Sequence, residues 1–187
     1  MNILLCVVLL ILTNAVVAEP KLVAAAKQRL NHFVIYDGSY QSIAYPNGDV
    51  DKNKGVCTDV IIRSYRQLGI DLQKLVHEDM QNNFSLYPSI WGLSKPDSNI
   101  DHRRVPNLET FFKRHGQILS ITKNVKDYKP GDLVTWRLDN NLPHIGIVSD
   151  VLSTSHSNRY QIIHNIGLGP QQQDMLFEYQ IVGHFRF

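Results

Sequence analysis

One cysteine and two histidines hold most of the reactive chemistry in this sequence. Cys57 follows the turn Lys54-Gly55-Val56, and Val56, Val60, Ile61, Ser64, Tyr65 and Leu68 then recur at helical spacing, with Arg63, Arg66 and Gln67 on another face. A helix that begins at Cys57 and ends near Gly69 puts the thiol where backbone N–H groups point outward. That setting stabilises a thiolate and lowers the thiol pKa, which makes a cysteine nucleophilic near neutral pH. Burial as a small apolar side chain is the competing reading, because free cysteine is among the most buried residue types. A thiolate nucleophile also needs a base to carry its proton and a third group to hold that base in one tautomer. His144 comes straight after Pro143 at the head of a strand-like run, and His164 closes the next such run. If a hairpin pairs the two runs, the end of one lies beside the start of the other and the imidazoles become neighbours. Taken singly, each histidine also reads as a structural or surface residue.

Bringing these side chains together requires a helix start to pack against one edge of a sheet. The chain supplies both parts. Lys21 to Phe33 reads as a first helix, Val34 to Gly38 as a short extended piece, and Leu72 to Asn82 as a helix after Gly69-Ile70-Asp71. Tyr87 to Val105 is a long irregular connection rich in Pro, Gly and Asn, and such connections are often functional. Asn107 could cap a short helix from Leu108 to His115 that Gly116 closes. The period then changes to that of strands: Ile118 to Thr122, Leu133 to Leu138 after the turn Lys129-Pro130-Gly131-Asp132, His144 to Ser149, Tyr160 to His164, and one or two more in Phe177 to Phe187. Helices followed by strands on short turns predict an α+β architecture with an antiparallel sheet.

Length and composition restrict the function classes. The chain has 187 residues, of which 43% are hydrophobic, enough for one core-bearing domain. Residues 1–18 carry no charged side chain, and their apolar run ends in Val16-Val17-Ala18, the outline of a secretory signal peptide cut after Ala18. An uncleaved anchor is the alternative, although the run is short for a span of ~20 residues. Cleavage leaves a single domain over 19–187 and removes Cys6, so the mature chain has no internal disulfide and keeps one unpaired thiol. In an oxidising compartment that thiol is a liability unless it is used, which favours the nucleophile reading. Lys+Arg 19 against Asp+Glu 17 gives a net charge of +2, with no basic run that would suggest nucleic acid.

Five stretches of wording resemble a known family. They are Gly55-Val56-Cys57-Thr58-Asp59, Asp101-His102-Arg103-Arg104-Val105-Pro106-Asn107-Leu108, Pro130-Gly131-Asp132, His144-Ile145-Gly146-Ile147 and Ile163-His164-Asn165-Ile166-Gly167. From about Tyr45 onward the chain is similar to the bacterial DUF1287 family, within the NlpC/p60-like, papain-like cysteine peptidases. The resemblance implies a papain-like fold with the nucleophile at a helix start packed on an antiparallel sheet. It also implies Cys57 as nucleophile, His144 as base and His164 as the residue that orients it, acting on an amide bond.

The Asp101-His102-Arg103 stretch has no counterpart in the wider superfamily pattern. Two readings stay open for it: a substrate-binding lining in which Asp59, Asp101, His102 and Arg103 contact substrate, with Arg103 forking a carboxylate, or a buried ion pair that pins the long loop. The Cys57 N–H is expected in an oxyanion hole, and Asp132 is expected to fix the Pro-Gly-Asp turn. A zinc set from Asp101, His102, His144 and His164 lacks H-x-x-x-H or C-x-x-C spacing, so no metal and no cofactor is expected. The function expected is an exported, monomeric cysteine hydrolase acting on peptidoglycan through an acyl-enzyme, in the periplasm or secreted. Acyl transfer at the same site and a non-catalytic cell-wall binding module are the alternatives.

Overall fold

Helix α2 (Cys57–Gln67) lies across the middle of the molecule, and nearly every residue from Cys57 to Tyr65 is buried. A computed structural model of the chain describes residues 14–156 and 158–187. Most of the expected leader, Cys6 included, lies outside the described residues. Ahead of α2 come α1 (Asn14–Arg29) and two minimal strands, β1 (Ile35–Tyr36) and β2 (Lys54–Gly55). After it come α3 (Leu72–Asn83), α4 (Val105–His115) and β3 (Gln117–Ile118). The chain then continues through β4 (Leu133–Arg137), β5 (Pro143–Leu152), β6 (Tyr160–Asn165), β7 (Pro170–Gln173) and β8 (Gln180–Arg186). Strands β3 to β8 form one antiparallel sheet in the order β3-β8-β4-β5-β6-β7, so the fold is α+β as the sequence predicts.

Strand alternation gives the sheet two apolar faces. Ile145, Ile147 and Ile163 pack with Val60, Ile61 and Ile62 of α2 in the main core. On the other face, Val134, Trp136, Val148 and Ile162 meet Met175, Leu176 and Tyr128. Burial of each large aliphatic side chain contributes about 1.5–3 kcal/mol, so α2 is fixed mainly by its apolar contacts with β5 and β6.

Several boundaries differ from the sequence reading. The first helix stops at Arg29 instead of Phe33. Asn107 is not a cap: α4 begins two residues earlier, with Arg104 at the N-cap and Pro106 in its first turn, and the buried Asn107 Nδ2 donates to the Asp101 carbonyl at 3.1 Å. Proline suits that place because its missing N–H would have had no helical partner. Strand β3 is two residues long, and β7 is an element that the apolar pattern did not predict. Arg63 is not on a solvent face: its guanidinium is buried against Asp49 at 3.0 Å and donates to the carbonyls of Asp51 and Lys54, gathering the loop that delivers Cys57.

Candidate active site

The local sequence fixes the start of α2. Val56 has no capping oxygen, and Asp59, three residues on, supplies the bond from the other direction: its Oδ2 accepts the Val56 N–H at 2.6 Å. A Cβ at Gly55 would come within 3.1 Å of the Asp59 side chain, a tight approach that the glycine avoids. The same carboxylate takes both prongs of Arg103, Nε and Nη2 each at 3.0 Å, and both side chains are almost completely buried. Arg103 also donates to the carbonyls of Asp37 and Ser39, and the Thr58 hydroxyl donates to the Arg103 carbonyl at 3.0 Å. One guanidinium thus ties the long connection and the segment after β1 to the first turn of α2.

Cys57 is 4% exposed, and the nearby backbone N–H groups of Ile145, Thr58 and Cys57 itself favour its thiolate. Tyr36 lines the same cavity as Cys57, close enough for the Cys57 charge to act on its hydroxyl. Tyr36 arrives there because β1 and β2 pair in parallel, Tyr36 opposite Gly55, which sets it beside the residues entering α2. The dipole and N–H groups do not prevail over burial: burial pushes the Cys57 thiol up to about 12, assisted by the nearby Asp59 charge, against the pull of the N–H groups. The resting side chain is a neutral thiol, contrary to the lowered pKa that its helix position alone predicts. Burial and the Cys57 charge also raise the Tyr36 hydroxyl well above the usual phenol range.

The two predicted histidines do meet. His144 Nε2 lies 3.0 Å from His164 Nδ1, and His164 Nε2 lies 3.0 Å from Gln173 Oε1 on β7. The register explains the contact. Ile147 pairs with Ile163, and extending that ladder by one step puts Gly146 opposite His164. A Cβ at Gly146 would come within 2.5 Å of Ile162 and 3.2 Å of the His164 Cβ, so the glycine leaves the gap across which the imidazoles touch. Trp136, paired with His144 in the ladder, lies 5.9 Å away ring to ring and backs the imidazole. Burial lowers both histidines, His144 to about 3 with the His164 charge adding to it, and His164 to about 4 against the raising effect of Gln173. Both are neutral at neutral pH. The tautomers follow: Gln173 Oε1 can only accept, so His164 carries its proton on Nε2 and presents a bare Nδ1 to the His144 Nε2–H. His144 Nδ1 is then the free basic nitrogen, and it has no hydrogen-bond partner among the described residues.

No hydrogen bond joins the sulfur to either imidazole among the described residues. Ile145 faces α2, and its neighbour His144 turns toward Trp136, as alternation along a strand requires. Cys57 and Ile145, the residue bonded to His144, nevertheless share the main core, so the helix start does pack against the head of β5.

The remaining predicted residues divide. A cavity of about 460 Å³ opens beside Cys57, lined among others by Tyr36, Trp91, Arg103 and Arg104. Asp59, Asp101 and His102 do not line it. Asp101 is buried, pairs with Arg104 at 3.0 Å and accepts the Asp97 N–H. His102 is buried among Arg103, Arg66, Asp71 and Asp49, and burial lowers it to about 3. It makes no bond to Asp59. These contacts match the ion-pair reading of the stretch. Asp132 does close its turn, accepting the Lys129 N–H at 2.8 Å, and it also binds His184 and Arg186 of β8. No group of three or more His, Cys, Asp or Glu side chains among the described residues could hold a metal ion, and no helix there is long and apolar enough to cross a membrane. Sequence reasoning missed Tyr36, which lines the cavity beside Cys57, and Gln173, whose amide oxygen meets His164.

Comparison with known proteins adds the following. The model of the family described as "Domain of unknown function (DUF1287)" matches residues 23–187. The uncharacterized protein YijF of Escherichia coli (strain K12) is 50% identical over 175 residues, covering 94% of this chain and 82% of that protein. Among solved structures, the one titled "Structure of NlpC1 from Trichomonas vaginalis" aligns with a TM-score of 0.46 and 18% identity. That alignment covers 87% of this chain and 42% of the other, so the chain spans less than half of that structure's length.

Proposed function

We propose that this chain, which belongs to the DUF1287 family, is a cysteine hydrolase that cleaves an amide bond through an acyl-enzyme on Cys57. The observation that carries the reading is the His144–His164 hydrogen bond at 3.0 Å, set at the strand head whose next residue, Ile145, packs in the core with Cys57. A buried imidazole pair with its tautomers fixed by Gln173 leaves one basic nitrogen on the residue next to Ile145, which packs in the core with the thiol at the helix start, and nucleophilic catalysis needs such a base within reach of the thiol.

The steps follow from these groups. A side-chain rotation at Cys57 or His144 closes the gap when substrate enters, as catalytic hydrogen bonds often tighten only in the substrate complex. His144 Nδ1 takes the thiol proton while Sγ bonds to the carbonyl carbon. The resulting oxyanion is met by the Cys57 N–H and by the Tyr36 hydroxyl, which lines the same cavity. Collapse breaks the C–N bond, and the His144 imidazolium gives its proton to the departing amine. A water, deprotonated by His144, then attacks the thioester, the C–S bond breaks, the carboxylic acid leaves, and the thiol regains its proton. His164 and Gln173 hold the imidazole in place and share its positive charge.

The leader-like residues 1–18 and the lone thiol support export to the periplasm or beyond, as a monomer, with peptidoglycan peptides as substrate. The substrate assignment is by analogy with NlpC/p60-like peptidases. Acid quench of the protein mixed with muramidase-released muropeptides, followed by mass spectrometry, tests the reading. An acyl adduct on Cys57, with products gaining one water, is expected; products joined to another acceptor would make it an acyltransferase, and no product at all would leave only a wall-binding role.

A further inference from the structure

Two guanidiniums line the cavity beside Cys57, and they are in different states. Arg103 is saturated by the Asp59 carboxylate and two backbone carbonyls. Arg104 bonds Asp101 through Nη1 alone, at 3.0 Å, and its Cζ lies 4.1 Å from the centroid of the Trp91 ring. Its Nε and Nη2 donate to no protein group among the described residues, and they are not buried atoms left without a partner. The side chain keeps 17% of its surface open. Stacking on an aromatic face holds a guanidinium flat and leaves its edge free to donate. No Asp or Glu lines the cavity, so no lining carboxylate competes for that edge.

We propose that Arg104, held by Trp91 and Asp101, is the specificity-determining residue of this site and binds a free carboxylate of the substrate in the cavity that Cys57 shares. The inference rests on the hydrolase reading for its substrate and on the cavity alone for its ligand chemistry. A planar fork recognises a carboxylate bidentately, which a carboxamide, carrying no charge and offering one oxygen, cannot reproduce.

The test uses muropeptides released from sacculi by muramidase, half of them with every carboxyl converted to a carboxamide. Binding is measured calorimetrically at pH 7 on the Cys57→Ala protein, and turnover on the unaltered one. The free-acid form should bind at least tenfold more tightly than the amidated form. Arg104→Gln, in the Cys57→Ala background, should remove that preference, and Arg104→Lys, which keeps the charge and the Asp101 partner, should keep part of it. Equal binding of both forms, binding of neither, or a full preference surviving in Arg104→Gln with an unchanged melting temperature overturns the assignment. Should Arg104→Gln fail to fold, a full preference in Arg104→Lys overturns it, and a reduced one supports it. A carboxylate preference in binding, without any turnover by the unaltered protein, would retain the Arg104 assignment and reject hydrolysis.

Discussion

His144 and His164 share one hydrogen bond 3.0 Å long across a glycine gap in the sheet, and Gln173 on the far side decides which nitrogen of each ring carries the proton. If that relay orients a base, its parts should have graded effects. His144→Ala should lower kcat on muropeptides by about 10²–10⁴, the usual range for a lost general base. His164→Ala should cost less, and Gln173→Ala least. Steady-state kinetics on the three variants check the order; His164→Ala as active as the unaltered protein would leave the relay without a function.

Thiol reactivity gives a second prediction. With Cys57 pushed up to about 12, the thiolate fraction rises about tenfold per pH unit up to that value. Iodoacetamide should therefore label Cys57 more slowly than free cysteine at pH 8, and the rate should still be climbing above pH 10. A plateau below pH 9 would show a thiolate–imidazolium pair already formed at rest. With His144 at about 3, its neutral basic form persists in mild acid, so activity should hold there for as long as the fold does.

Stability should fall on the acid side. His102 and His144 are lowered to about 3 and His164 to about 4, whereas in the unfolded chain each titrates near 6.5. Below about 6.5 the unfolded state takes up protons that the fold refuses, so stability is intact above that pH and declines as pH drops toward 4. Each histidine contributes at most about 1.4 kcal/mol per pH unit. Denaturant melts at pH 7, 6 and 5 should show the decline, with a shallower slope in His164→Asn; equal stability at all three values would mean that these rings are not buried neutral.

Arg103→Met leaves Asp59 as a buried charge without its partner, which costs about 3–5 kcal/mol. Asp59→Leu combined with Arg103→Met should recover part of that loss. Chemical denaturation of the single and double variants checks it; a single variant within 1 kcal/mol (roughly, the range for surface pairs) of the parent would remove the staple from the account.

The helix at Cys57 and the strands that carry His144 and His164 were legible because each carries a period, 3.6 or 2, that burial imposes on the residue pattern. Gly146 was legible as part of a wording, not as the gap it forms. Tyr36 was hidden because a two-residue parallel pairing has no period, and Gln173 because β7, Pro-Gln-Gln-Gln, is polar throughout and takes its strand form from β6 alone. The direction of the Cys57 shift was misread for a related reason. A sequence displays the helix start that favours a thiolate, and it does not display the depth of burial that opposes it. Arg63 was read only as lying on another helix face, and the sequence does not display the Asp49–Lys54 loop that buries its guanidinium.

The most direct measurement compares the mature protein with its Cys57→Ala variant on muropeptides, read by mass spectrometry, with melting curves to show that both are folded. The account predicts new amine and carboxylate ends with the unaltered protein and none with the variant. Equal hydrolysis by the two would contradict it, since turnover without the Cys57 thiol cannot pass through an acyl-enzyme on that residue.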